Sequence, residues 1–240
     1  MLLVLVSVEA GYRWARQRQQ KQEREKEAPV GAMVGATLGL LAFLLAFTFG
    51  IAADAFHARK VALVQEANAI RVTYLLANTI PEAYRSEIRT ILREYTDERL
   101  RWANGQPNAP GASANDLIDR LGKAVTAVGA QNPGGVDVFL SYASRVVELQ
   151  QERLMVRERS RIPGAYWAVL FLVAILALAA VGYHGGVAGT GRSPVMLAVA
   201  IAFSAVIMVI ADLDRPGQGF INVSQQPMID LRETLVTPKH

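Results

Sequence analysis

Residues 28–53 read APVGAMVGATLGLLAFLLAFTFGIAA and contain no Asp, Glu, Lys or Arg. About 20 apolar residues in a helix are enough to cross the roughly 30 Å hydrocarbon core of a bilayer. Two further stretches also lack Asp, Glu, Lys and Arg: residues 162–191, in which His184 is the only basic residue, and residues 193–211. These three stretches predict an integral membrane protein.

The overall composition agrees with that prediction. Of 240 residues, 52% are hydrophobic and 19% are charged, and the net charge of +4 is too small to indicate a nucleic-acid partner. The chain contains no cysteine, which excludes disulfides and Cys-based zinc sites. The expected environment is therefore the lipid bilayer, and no nucleic-acid partner is predicted.

The apolar stretches and the segments between them predict an all-α fold with five regions. They are a short membrane helix with a charged linker (1–29), a second membrane helix (30–53), a helical domain continuous with that helix (54–163), the third and fourth membrane helices (164–211), and a C-terminal turn with a short helix (212–240). The expected architecture is a polytopic membrane protein with four membrane helices and an extramembrane helical domain between helices two and three.

The N-terminal segment is the least regular of the predicted membrane helices. Residues 1–12 would reach only about 18 Å as a helix, which is too short to span a bilayer. We therefore interpret this segment as a short or truncated first membrane helix.

Small residues recur along the second membrane helix at helical steps. Such a stripe favours the close approach of another helix backbone in a bilayer. It consists of Gly31, Gly35, Gly39, Ala42, Ala46 and Ala53.

The helical domain shows the period of amphipathic helices. Tyr84, Ile88, Ile91 and Tyr95 follow one another at four-, three- and four-residue spacing, which predicts a buried stripe. A further helix is expected to end at residues 132–135, which read NPGG.

The loop between the third and fourth membrane helices decides the predicted orientation. It is expected to begin after Tyr183 and to contain Gly185, Gly186, Gly189 and Gly191. Because this loop is nearly free of charge, the middle domain and the C-terminus are predicted to be cytoplasmic.

No enzymatic motif is found in the sequence. There is no phosphate-binding loop, nucleophile elbow or paired-His metal signature, and His57 and His184 are expected at opposite membrane faces. We therefore predict no enzyme, no cofactor and no metal site. The membrane helices also lack internal acids and bases, which disfavours a proton-driven transporter. The sequence still allows a pore with a hydrophobic constriction and charged mouths. Such a pore requires several subunits around an axis.

A set of short motifs then points to a family. They are GLLAF (39–43), AFTF (46–49), Arg59-Lys60, EANAI (66–70), Tyr74-Leu75, LREY (92–95), and a closing motif with DLDRP (212–216), Gly219, Val223-Ser224 and Pro227. Together they resemble the bestrophin-like family of bacterial membrane proteins of unknown function, over residues 30–235. That family is remotely similar to the bestrophins, which are pentameric ion channels with four membrane helices per subunit and an intracellular helical region.

The resemblance implies a pore neck on the second membrane helix. In bestrophins the neck is built from bulky apolar residues at four-residue steps, and Phe43, Phe47 and Ile51 are similar in placement. Packing of these three side chains against neighbouring helices or lipid is the alternative. The resemblance further implies a homo-oligomer, a pentamer by analogy, that passes inorganic ions across the bacterial inner membrane.

The acidic residues after the fourth helix allow two interpretations. Asp212 and Asp214 occupy a place comparable to that of the calcium-binding acids of animal bestrophins. Their motif is far shorter than a calcium site, which needs six or more oxygen ligands. We therefore favour a helix-end ion pair with Arg215 or Arg59.

Polar residues after the second and fourth membrane helices are candidates for a pore mouth or a subunit interface, and they include Arg59, Asp212, Asp214 and Arg215. Asp54 and His57 follow the apolar stretch directly, and Glu66, Asn68 and Arg71 come next. For the last three, pairing across subunits or with the turn at residues 212–222 is favoured over a ligand site.

Two functional hypotheses follow from these patterns. The first is an oligomeric ion channel or pore with the second helix lining its axis. The alternative is a membrane-anchored scaffold or regulatory protein whose helical domain binds a partner. The oligomeric state in detergent distinguishes them, because a monomer is incompatible with the pore.

Overall fold

The computed structural model describes residues 2–20, 27–106, 111–131, 136–159, 161–189, 193–215 and 219–236. Over these residues the chain is helical and forms no strand, which confirms the all-α prediction. The helices are α1 (Leu2–Gln20), α2 (Glu27–Leu76), α3 (Glu82–Ala103), α4 (Ala114–Gln131), α5 (Asp137–Arg159), α6 (Gly164–Val187), α7 (Pro194–Asp214) and α8 (Gln226–Val236), with a 3₁₀ turn at Ala77–Thr79.

Within the described residues, three helices are long and apolar enough to cross a membrane. They are α2 with its 3₁₀ extension, α6 and α7, whose most apolar segments have mean hydropathies of 2.2, 2.4 and 2.6. Only 17–22% of those segments is buried inside the chain. Since water is a poor solvent for so much apolar surface, these helices require lipid or other protein around them.

The chain divides into two compact units. The first unit contains Met1–Ala55 and Arg161–Ile221, and the second contains Phe56–Ser160 and Asn222–His240. The continuous helix α2 contributes to both units, because the division falls within its length.

Helices α1 and α6 of the first unit pack with their backbones in contact. A Cβ atom added at Gly11 would lie 1.9 Å from the carbonyl oxygen of Ala179, and one at Gly182 would lie 1.9 Å from that of Val8. A Cβ at Gly186 would lie 2.5 Å from the Cβ of Ala15. Small residues four apart on each helix therefore allow this close crossing, because they let two helix backbones approach each other.

The same contact corrects the predicted end of the third membrane helix. The loop was expected after Tyr183, but α6 continues to Val187 and includes Gly185 and Gly186. These two glycines are helical because Gly186 contacts α1 and Gly185 faces the sulfur of Met196. Gly189, with φ of 68°, follows the helix in the left-handed region, where glycine is favoured. Gly191 lies outside the described residues.

The second unit has its own hydrophobic core. Helices α3, α4, α5 and α8 pack around the part of α2 that extends beyond residue 55, and the buried side chains include Ile70, Leu92, Leu117, Leu121, Phe139, Val146, Met228 and Leu231. The predicted stripe is confirmed, since Ile88, Ile91 and Tyr95 are buried in this core and Tyr84 packs against it. The predicted helix end at residues 132–135 lies outside the described residues.

The C-terminal helix α8 is fixed to this core at its last turn. The Tyr74 hydroxyl and the Arg93 Nε both donate to the carbonyl oxygen of Leu235, at 3.3 and 3.0 Å. Arg232 forms an ion pair with Asp97 at 2.6 Å. A cation at the carbonyl end of a helix is favourable for the helix dipole, so Arg93 stabilises the docked position of α8.

Candidate functional site

One face of α2 in the first unit is turned away from the packed interior. Phe43 and Phe47 are 65% and 64% exposed, and their ring centroids lie 6.3 Å apart. Ile51 is 37% exposed, whereas Leu41 and Leu45 on the other side of the helix are buried. At about 100° per residue, the two phenylalanines lie within about 40° of each other. The three predicted neck residues therefore share an exposed apolar face, which we call the aromatic face.

Several glycines of α2 beside the aromatic face have open space around them in the part of the chain that the structure describes. A Cβ atom added at Gly35, Gly39 or Gly50 would meet nothing within 4 Å. Gly31 differs, since a Cβ there would lie 3.0 Å from the Nε2 atom of His184. At its start, the predicted small-residue stripe therefore contacts another part of the chain. Further along, at Gly35 and Gly39, it leaves room for another helix. We call the open part, at Gly35 and Gly39, the glycine face.

The polar candidates that follow the aromatic face differ in exposure. Asp54, His57 and Asn68 are exposed, whereas Arg59 and Arg71 are half-buried. Since Asp54 is seven residues, or about two helical turns, beyond Phe47, it falls on the same side of α2 as the aromatic face.

Asp212 and Asp214 bind backbone amides of the first unit. Both carboxylate oxygens of Asp212 accept hydrogen bonds, one from the amide of Phe220 at 2.9 Å and one from that of Ile221 at 2.7 Å. Asp214 accepts from the amide of Ile162 at 2.8 Å. This backbone-binding role is one that the sequence did not predict. Gly219 is required beside it, because a Cβ there would lie 2.2 Å from Asp212 Oδ1.

The described part of the chain has no group of three or more His, Asp or Glu side chains placed to hold a metal ion. Asp212 fixes the chain that follows α7, and Asp214 connects the end of α7 to the residues that precede α6.

Glu66 is the centre of a buried polar cluster in the second unit. Its Oε1 accepts a hydrogen bond from the Tyr95 hydroxyl at 2.5 Å. The Arg99 guanidinium donates to both carboxylate oxygens, from Nε and Nη2, at 3.2 Å each. Arg153 Nε lies 3.6 Å from Oε1. Within its own unit, Glu66 therefore has three partners among the described residues: Tyr95, Arg99 and Arg153.

Burial shifts the pKa values of two groups in this cluster. Burial, together with the charge of Glu66, raises the pKa of Tyr95 far above its ordinary value, so this hydroxyl stays protonated and acts as a donor. Burial and the neighbouring charge of Arg99 lower the pKa of Arg153, and the attraction of Glu66 opposes that shift. The cluster thus ties α2 to α3 through Tyr95 and Arg99, and to α5 through Arg153.

Arg99 and Arg153 are not among the site residues predicted from the sequence. A signal for Arg99 was present, because it follows Tyr95 by four residues and continues the buried stripe of α3. A basic residue on an otherwise apolar stripe indicates a buried partner of opposite charge. No comparable signal marks Arg153, which lies among other charged residues near the end of α5.

Comparison with known proteins connects this architecture to a family. A family model described as the Bestrophin-like domain matches residues 1–228. The fold is similar to crystal structures of variants of a bacterial bestrophin homolog from Klebsiella pneumoniae. One has a TM-score of 0.71 at 12% identity, covering 98% of this chain and 97% of that chain. A second has a TM-score of 0.69 at 15% identity, covering 98% and 95%. A search of curated proteins finds no match.

Proposed function

Since the chain belongs to the bestrophin-like family and is a membrane protein, we propose that it forms an oligomeric ion channel in which α2 lines a hydrophobic neck. Family membership supports a channel-like role in general terms. The neck itself, built from Phe43, Phe47 and Ile51, is the specific part of the proposal.

The observation that carries the proposal is the pairing of two different exposed faces on α2. The aromatic face presents Phe43 and Phe47 outward, and among the described residues a Cβ added on the adjacent glycine face would meet nothing within 4 Å. When copies of α2 surround an axis, the glycine face of one copy accepts the helix of the next copy at short distance. The aromatic face then points toward the axis. Bulky apolar rings at a narrow point control ion passage by excluding water.

The rest of the proposed assembly follows from the family and from the apolar surface. We propose a homo-oligomer, a pentamer by resemblance, in the bacterial inner membrane. Helix α1, packed against α6, would serve as the first of four membrane helices, followed by α2, α6 and α7. The second unit and the C-terminus would be cytoplasmic, since the chain between α6 and α7 is nearly free of charge.

The first prediction concerns the neck. Phe47→Ala, and Phe43→Ala to a similar degree, should increase ion flux through purified protein in liposomes by about tenfold, which corresponds to a barrier lower by about 1.4 kcal/mol. Removing a ring of aromatic side chains widens the constriction and lets water enter. Flux is measured with an ion-sensitive dye, and single-channel recording in planar bilayers checks the conductance.

Phe49→Ala is the matched control. Phe49 is on the same helix and is 43% exposed, but it lies about 160° from Phe47 around α2 and so faces away from the proposed axis. An equal gain of flux in Phe49→Ala would contradict the assignment of the neck. A wild-type chain that is monomeric in detergent and carries no flux would overturn the channel itself.

The alternative is a membrane-anchored scaffold whose helical domain binds a partner. It is supported by exposed apolar side chains of the second unit, including Leu75 at 57% and Val138 at 61%. Measurable flux without any bound partner protein would argue for the channel over this alternative.

A further inference from the structure

A single carboxylate extends the aromatic face of α2. The only acidic residues between Phe43 and Asn68 are Asp54 and Glu66. Glu66 is fully buried, whereas Asp54 is exposed. At about 100° per residue, Asp54 lies between Phe43 and Phe47 when α2 is viewed down its axis. Any arrangement that turns both phenylalanines toward a pore therefore turns Asp54 toward it as well.

The basic residues that follow Asp54 lie on other sides of α2. Arg59 and Lys60 lie about 140° and 120° from Asp54 around the helix. His57, also exposed, is the titratable residue nearest to Asp54 in the sequence and lies about 60° away around the helix. Seven residues separate Asp54 from Phe47, so the carboxylate lies about 10 Å beyond the last phenylalanine along the helix.

We propose that the copies of Asp54 form an acidic ring beside the neck and make the channel selective for cations. This inference rests on the proposed function. Several carboxylates around a narrow axis with apolar walls concentrate counter-ions and repel anions, because field lines are focused where the surrounding dielectric is low. The aromatic face offers no charge or hydrogen bond to an ion, so the discrimination between signs of charge falls to Asp54.

Reversal potentials across a KCl gradient test the inference. The wild-type channel should reverse close to the potassium equilibrium potential. Asp54→Asn should lower the ratio of potassium to chloride permeability by about tenfold, the lower end of the range by which focused charge raises local ion concentration. Asp54→Lys should move the reversal potential toward that of chloride. Glu87→Gln, which removes an exposed carboxylate on α3, is the control and should change nothing.

A second measurement does not depend on current. The chain contains no cysteine, so Ala58→Cys introduces a single thiol one turn beyond Asp54. The ratio of its modification rates by a cationic and an anionic methanethiosulfonate reagent reports the local potential. Adding Asp54→Asn should lower that ratio severalfold, whereas adding Glu87→Gln should not.

These outcomes separate the inference from the channel proposal. Currents whose selectivity is the same with Asp54 and Asn at position 54 would overturn the acidic ring and leave the channel standing. If no current is found, the thiol measurement still tests the inference, since an unchanged rate ratio overturns the acidic ring independently of the channel.

Discussion

Gly11→Ala is expected to separate α1 from α6 and to leave little correctly folded protein. The added methyl group would lie 1.9 Å from the carbonyl oxygen of Ala179, well inside contact distance, and the colliding atom belongs to the backbone. A flexible side chain is able to move aside, but a helix backbone moves only with the helix. We therefore expect destabilisation of about 3 kcal/mol or more, at or beyond the upper end for overpacked sites.

The measurement is the yield of monodisperse protein in detergent, followed by its thermal midpoint. Trp14 reports locally, because its ring lies 5.5 Å from that of Tyr183 across the same contact. Gly164→Ala makes the same chemical change on α6 where a Cβ would meet nothing within 4 Å. That variant should behave as the wild type. If the two alanine variants were equally stable, the close crossing of α1 and α6 would be contradicted.

The contact between α1 and α6 could not be predicted from the sequence. Gly185 and Gly186 were placed in a loop, since glycines near the end of an apolar stretch ordinarily indicate a turn. Gly186 is helical because α1 approaches it, and that approach is specified by residues such as Gly11, more than 160 positions away in the sequence. Gly185 faces Met196 of α7. Local patterns do not contain this information.

The core of the second unit was predictable because its signal is local. Ile88, Ile91 and Tyr95 repeat with the period of a helix, and any helix with that pattern must bury that face. The aromatic face was predictable for the same reason, as spacing places Phe43 and Phe47 together. What lies in front of that face depends on how the subunits assemble. The spacing of residues in one chain does not specify that assembly.

The partners of Glu66 were not predictable from spacing. The sequence showed a carboxylate near the end of the continuous helix, and an exposed interface role fitted its polar neighbours. In the structure, Glu66 faces α3 and α5, and its charge is matched by residues 33 and 87 positions further along the chain. Buried charges are paired in proteins, but the sequence does not say with which residue.

Loss of either side of the Glu66–Arg99 pair should strongly destabilise the second unit. Both side chains are buried, with 0% and 8% exposure, and removing one leaves the other as an uncompensated charge. Such changes typically cost about 3–5 kcal/mol. Thermal unfolding of the detergent-solubilised protein, followed by circular dichroism and by the fluorescence of Trp102 on α3, measures the loss. Arg120→Met is the control, because its pair with Glu94 is about half exposed and should contribute less than about 1 kcal/mol.

Glu66→Gln and Arg99→Met should destabilise the second unit by different amounts. Which variant is the less stable tests the role of Arg153, the third charge of the cluster. After Arg99→Met, Arg153 still lies 3.6 Å from the carboxylate and partly compensates it. After Glu66→Gln, two guanidinium groups remain buried beside a neutral amide and a neutral Tyr95, so this variant should be the less stable one. Adding Arg153→Met to Glu66→Gln removes one of the repelling charges and should restore part of the stability. If Arg153→Met instead lowered stability further in that background, Arg153 would act through packing of its side chain, and the electrostatic account of the cluster would be wrong.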